Sequence, residues 1–224
     1  MPVTFPRGMP PFNLRSGAIT LERMVAGNPL RGGQVERVEV GEPRWTVSYT
    51  SVPLTRAQTR AAEAWWESLA GGVRTFLAVP PGGAFPAAYP KGFAGLTRAG
   101  GGAFDGTSRL NAFGATNDLL TFGTTGFSLP AGFVLAAGDY IGLSYQSRVS
   151  LHRIIEAQTA SGAGQITQIQ VTPLVRSTLF PAGNLVTLTV ANPTFEAVVT
   201  PDSWDCETQI DFSTASFSAI QRGY

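Results

Sequence analysis

The chain has 224 residues, a formal net charge of +1 and only 14% charged side chains, well below the roughly 25% of an ordinary soluble protein. One large or two modest domains fit that length. Scattered arginines around a single lysine, Lys91, argue against a phosphate-binding stripe, and the lone Cys206 excludes an intramolecular disulfide and a cysteine-based zinc site. High glycine and proline counts, 26 and 16, favour turns and short strands.

The N-terminal "MPVTFPRGMPPFNLRSG" lacks a continuous apolar segment, so the reading is of a soluble chain folded in a reducing cytoplasm, without membrane insertion. Residues 12–25 suit a strand around Ile19, Leu21 and Arg23. "NPLRGG" (28–33) reads as a turn or mobile loop. "VERVEV" leads into "RWTVSYTSV", where Trp45, Val47 and Tyr49 alternate with Thr46, Ser48 and Thr50. That period of two predicts a half-buried strand.

The next segment, "PLTRAQTRAAEAWWESLAGG", predicts a helix over about 55–70. Thr55 and Gln58 have capping-box spacing. Ala57, Ala61, Ala62, Trp65, Trp66 and Leu69 form the expected apolar stripe, with Arg56, Arg60, Glu63 and Glu67 largely outside it. Gly71 and Gly72 end it, because glycine adopts the left-handed conformation most cheaply. Trp65 and Trp66 differ by about 100° around the axis, so one can face a sheet while the other sits at the boundary. Core packing accounts for both. A boundary tryptophan with Arg60 is the sharper reading, as a subunit contact.

"RTFLAVP" reads as a short strand that stops at Pro80–Pro81, and the composition then changes. Residues 82–132 are rich in Gly, Ala, Phe and Pro, with "RAGGGAFDGTSRL" as an extended loop or hairpin. So long a loop leads to the expectation of short strands hidden inside it. "DYIGLSYQ" and "VSLHRIIEAQ" read as a strand pair, "ASGAGQ" as a turn, and "ITQIQVTPLV" and "NLVTLTV" as further strands. A small barrel or sandwich of five or six strands is expected. Near the end, Trp204, Cys206, Thr208, Ile210 and Phe212 alternate with Asp205, Glu207, Gln209 and Asp211. One strand with an acidic wet face is predicted there, slipping near Ser213 at a bulge or turn.

No catalytic motif stands out. His152 and Glu156 sit four apart in a predicted strand, about 13 Å along it, and cannot touch; a packed or surface histidine is the simpler reading. Cys206 reads as a buried, inert thiol. Asp105, Asp118 and Asp139 sit in turn contexts, which explain them without a glycosidase pair that could include Glu156. Phe85, Tyr89, Phe93, Phe104 and Phe113 could stack on sugar rings or anchor loops.

The order of parts resembles the distal tail proteins of long-tailed bacteriophages and related tail-tip proteins. Those parts are strands, then "RWTVSYTSVPLTRAQTRAAEAWWESLAGGVRTFLAV", an insertion and a closing strand. "GDYIGLS…LHRIIEAQTASGAGQITQIQVTPLVR" is similar to a segment of phage minor tail proteins. The resemblance implies a mainly β fold. A ring-forming β-sandwich or split barrel, residues 1–80 plus 195–224, carries one covering helix. An inserted peripheral domain, residues 81–194, is OB-like or galectin-like. It further implies a virion component at the distal tail: a homo-hexameric ring that joins the tail tube protein to a baseplate hub protein, with tape-measure and receptor-binding proteins as further partners. DNA passes only in transit, and no cofactor, metal or catalytic role is implied. On that model Trp65, Trp66 and Arg60 are candidate interface residues. Asp205, Glu207 and Asp211 are candidates to face the lumen. Phe85, Tyr89 and Phe93 are weak candidates to touch glycan, since a carbohydrate-binding module is the alternative reading and a polysaccharide hydrolase a third.

Overall fold

A computed structural model describes residues 3–10, 12–29, 35–208 and 212–223. The chain divides into two compact units, residues 1–77 with 197–224, and residues 78–196. In chain order the first strands are β1 (Leu14–Glu22), β2 (Val25–Pro29), β3 (Val35–Glu39) and β4 (Arg44–Ser51). Helix α1 (Arg56–Ser68), a single 3₁₀ turn (Ala70–Gly72) and β5 (Phe76–Ala78) follow. Then come β6 (Thr107–Phe113), β7 (Leu119–Phe122), β8 (Val134–Leu135), β9 (Tyr140–Tyr145), β10 (Arg148–Ile154), β11 (Gln158–Thr159), β12 (Ile166–Thr172) and β13 (Thr187–Thr189). The chain closes with β14 (Phe195–Val199), β15 (Asp205–Thr208) and β16 (Ser213–Gln221).

In the first unit, a sheet runs in the order β1-β4-β16-β14-β5, with β15 also paired to β16. The β4 alternation read from sequence is present: Trp45, Val47, Tyr49 and Ser51 are buried on one face. Helix α1 covers that face. Thr55 and Gln58 form the capping box, the Thr55 N–H donating to Gln58 Oε1 at 2.9 Å. The buried stripe is Thr59, Ala62, Trp65 and Leu69. Ala57 and Ala61 are exposed, a correction to the expected stripe. Alanine is apolar but small, so its presence does not by itself fix which helix face is inward. Gly72 has φ 94°, and a Cβ there would sit 2.6 Å from the Val199 carbonyl oxygen, so the helix exit accepts only glycine.

The C-terminal stretch differs from the single strand expected. β15 and β16 form an antiparallel pair with Asp205 opposite Ser216 and Cys206 opposite Ala215. The slip read near Ser213 as a bulge or turn thus falls at the start of a second strand; residues 209–211 of that reading lie outside the described residues. Asn28 and Pro29, read as part of a turn, belong to β2; residues 30–34 of that reading lie outside the described residues.

The second unit is built on a closed barrel in the order β10-β12-β7-β6-β13-β9. The expected β9–β10 pair is there, with Arg148 opposite Tyr145 and Arg153 opposite Tyr140. Leu110, Leu120, Phe122, Ile141, Leu143, Ile154, Ile166, Ile169 and Leu188 belong to one core. The short strands expected inside residues 82–132 are present as β6 and β7, while residues 82–106 hold one isolated bridge, Thr97 to Ala103. That segment is instead a chain of turns, and its Phe93 and Phe104 extend the same core.

Asp139 holds this segment. Its Oδ1 accepts from the Ala87 N–H at 2.9 Å and its Oδ2 from the Ala136 N–H at 2.8 Å. The residue is buried. Asp139→Ala would strand two donors and is expected to cost about 3 kcal/mol in urea denaturation, with Asp139→Asn costing less. Equal stability of the alanine variant and the parent would remove Asp139 from this role.

Candidate functional site: an uncovered hydroxyl face

The registers of β1, β4, β16 and β15 determine what lies on the sheet face away from α1. Ser16 of β1, Thr50 of β4, Ser216 of β16 and Asp205 of β15 form one cross-strand row. Ala18, Ser48 and Ser218 form the next, and Thr20, Thr46 and Ile220 a third. Glu207 stands opposite Thr214 at the other end, and the row beyond Thr20 carries Glu22 and Arg44. None of these side chains is fully buried: Ser16, Ala18, Thr20, Glu22, Arg44, Ser48, Asp205 and Glu207 are exposed, and the rest are half-buried. The face is thus mainly a surface of small hydroxyls, with the carboxylates of Asp205 and Glu207 along β15 and the Glu22–Arg44 row at the far end.

Two edges of that sheet are open. Among the described residues, no strand pairs to the outer side of β1 or of β15. The β5 end is closed differently: Arg7 bridges to Phe76, and the Leu77 N–H donates to the Arg7 carbonyl at 2.7 Å. β1 and β16 both run antiparallel to β4, and β15 runs antiparallel to β16. A β1 edge and a β15 edge from two copies would therefore meet antiparallel, the pairing that open edges favour.

The candidate interface residues fall in different places. Trp65 is buried at 2% exposure, with its indole N–H donating to the Gly8 carbonyl at 3.0 Å. It is a core residue, closed off from any subunit contact. Trp66 is half-buried and stacks on Trp204 at 5.2 Å, beside the start of β15. Arg60 is exposed on the helix. Asp205 and Glu207 lie on the open face as described, and Asp211 lies outside the described residues. Cys206 is half-buried against Leu54, Ala62 and Ala215 rather than fully buried.

The aromatic glycan candidates are largely spent on packing. Phe93 is buried, Tyr89 stacks on Phe133 at 4.5 Å with its hydroxyl accepting the Val134 N–H, and Phe85 meets Phe93 edge-on at 5.5 Å. Phe104 is buried too, and Phe113 is half-buried.

The groups weighed for catalysis are structural in geometry. His152 is buried; its Nδ1 lies 2.8 Å from the Pro173 carbonyl and its Nε2 2.7 Å from Ser150 Oγ. A carbonyl only accepts, so Nδ1 carries the proton and Nε2 accepts from the hydroxyl. Burial pushes this imidazole down to about 4 against a smaller upward pull from the carbonyl. Glu156 is exposed. Partial burial raises Asp105, but the Thr107 hydroxyl and amide and the Arg98 guanidinium outweigh it, leaving its carboxyl below the usual value. Hydrogen bonds from Thr116 and Gln170 lower Asp118 despite slight desolvation. A glycosidase acid needs the opposite, a raised carboxyl. Among the described residues, no group of three His, Cys, Asp or Glu side chains could hold a metal, and no helix is long and apolar enough to cross a membrane. No protein-family model and no curated protein matches the chain.

Proposed function

We propose that this chain is an architectural subunit that closes into a ring, the distal ring of a bacteriophage tail, and that its role is assembly rather than catalysis. The observation that carries the reading is the uncovered hydroxyl face, bounded by two open edges of opposite sense. In a ring, β1 of one copy adds to β15 of the next, and the contact repeats head to tail until it closes. Trp66 with Trp204 sits beside the β15 edge, where a partly exposed aromatic pair anchors a contact; Arg60 belongs to the same helix. Six copies are proposed, with residues 1–80 and 195–224 as the split-barrel or sandwich ring domain and residues 81–194 as the outward one. Its closed barrel favours an OB-like over a galectin-like assignment. Tail tube and baseplate hub proteins are the proposed neighbours above and below. Tape-measure and receptor-binding proteins are further ones.

The hydroxyl face then lines the bore. Short neutral side chains make up most of that wall, its one arginine, Arg44, stands in the same row as Glu22, and Asp205 and Glu207 repel the phosphates of passing DNA. Replacing both with lysine (Asp205→Lys, Glu207→Lys) creates two cations per subunit on that wall and is expected to slow genome ejection, more strongly at low salt. Ejection kinetics equal to the parent's at every salt concentration would remove this face from the DNA path.

A further inference from the structure

In the first unit, β2 and β3 form a two-stranded ribbon that pairs with no other strand among the described residues. Its register puts Ala26 opposite Val38. The Val40 N–H donates to the Met24 carbonyl at 2.8 Å and carries the ladder one pair further. Side chains alternate along a strand, so Met24, Ala26, Val38 and Val40 share one face. Val25, opposite Glu39, and Gly27, opposite Arg37, belong to the other, where Arg23 Nη1 meets Glu39 Oε1 at 3.1 Å. The ribbon is thus polar on one face and apolar on the other. Its apolar face is uncovered: Met24 is 64%, Val38 56% and Val40 66% exposed.

A two-stranded ribbon is marginal alone in water, and a contiguous exposed apolar patch marks a contact surface. Chain continuity says where that contact lies. β1 ends at Glu22 and β2 begins at Val25, so the ribbon leaves from the open β1 edge of the sheet. The other open edge, β15, carries a matching apolar surface. Trp204 directly precedes Asp205, and both it and its stacked partner Trp66 are only half-buried. Glu22, Glu36, Glu39 and Glu42, on and beside the ribbon, disfavour an anionic lipid surface as its cover. We propose that the ribbon is an arm whose Met24, Ala26, Val38 and Val40 face docks on the Trp66–Trp204 pair of the next copy of this chain. The contact rests on the head-to-tail assembly proposed above and supplies what edge pairing lacks. Main-chain bonds between two polar-faced edges specify register weakly, whereas a side-chain dock beside them fixes it.

The test places the photo-reactive residue p-benzoylphenylalanine at position 38 of the full-length protein, irradiated alone and co-expressed with the products of its neighbouring genes. Adducts are expected on peptides that carry Trp66 or Trp204, and between isotopically light and heavy chains mixed before assembly. A double variant, Val38→Asp with Val40→Asp, is expected to raise the concentration needed for assembly by about ten-fold or more. Its melting temperature should equal the parent's, since both side chains are exposed in the single chain. Absence of adducts overturns the arm, as do adducts within one chain, elsewhere on a second copy or on a different protein. So does assembly unaltered in the double variant, which leaves the ring reading standing without the arm. Adducts at the tryptophans of a second copy in an assembly that does not close support the arm and remove the ring.

Discussion

Replacing Phe217 with alanine is expected to destabilise the sheet-and-helix unit by about 3–5 kcal/mol, the usual range for emptying a buried phenylalanine site. Phe217 lies at the centre of that unit's aromatic cluster. Its ring is 5.1 Å from Tyr49 and 5.4 Å from Trp65, with Trp66, Phe76 and Trp204 at 6.1, 6.2 and 6.3 Å. It is the point at which β16 touches the helix through Trp65 and the strand β5 through Phe76. Trp65 cannot collapse into the void, because its indole is tethered to the Gly8 carbonyl. The cavity therefore persists and its cost stays near the upper end. Phe217→Leu, which retains most of the volume, is expected to lose far less. Urea denaturation followed by tryptophan fluorescence reads both. A loss below about 1 kcal/mol for the alanine variant would mean that the helix is not held through this contact.

The second large effect is on pH. His152 titrates near 4 in the folded chain, against 6.5 for an unhindered imidazole, because burial penalises its charged form. Between those values the unfolded chain holds a proton that the native one lacks. Stability therefore rises with pH through the window and is lost as pH falls from about 6.5 towards 4. The linkage amounts to about 3 kcal/mol across the whole window. Carboxylates also titrate at its acid end, so the informative quantity is the difference between the parent and His152→Gln. The glutamine amide can still donate to Pro173 and accept from Ser150, and it carries no titrating proton. The variant is expected to be less stable than the parent at pH 7 and to approach or pass it by pH 4.5. Parallel stability–pH curves for the two proteins would contradict a buried neutral imidazole.

Much of the fold was legible where local chemistry and periodicity coincide. Thr55 and Gln58 marked the helix start because a capping box is made by residues three apart. Trp45, Val47 and Tyr49 marked their strand because burial on one face leaves a period of two. Tyr140–Tyr145 and Arg148–Ile154 were legible as a pair because so few residues separate them. The change of composition was read at Pro80–Pro81, and the compact units divide after Leu77. What escaped was non-local. The barrel is closed by the short β13, whose Thr187 and Leu188 pair with both β6 and β9; three residues carry too little pattern to announce two distant partners. At the C-terminus the slip near Ser213 marked a break, but not the pairing of β15 with β16 across it, because Cys206 and Ala215 face the same core from opposite sides.

The site divides along the same line. Thr46, Ser48 and Thr50 were seen to point away from the core, but their continuation into Ser16, Ser216 and Ser218 depends on strand order, which no single strand contains. Trp65 and Trp66 were resolvable only as a pair, and tertiary packing made the first core and left the second at the surface. Phe93 and Phe104 read equally well as loop anchors or sugar platforms; their burial favours the first.

Electron microscopy of the full-length protein, alone and co-expressed with the products of its neighbouring genes, tests the central claim most directly. The account predicts a closed ring of six copies joined head to tail, with the Ser48 and Ser218 face on the bore. Absence of a closed ring under both conditions, or a ring with that face turned outward, would contradict it.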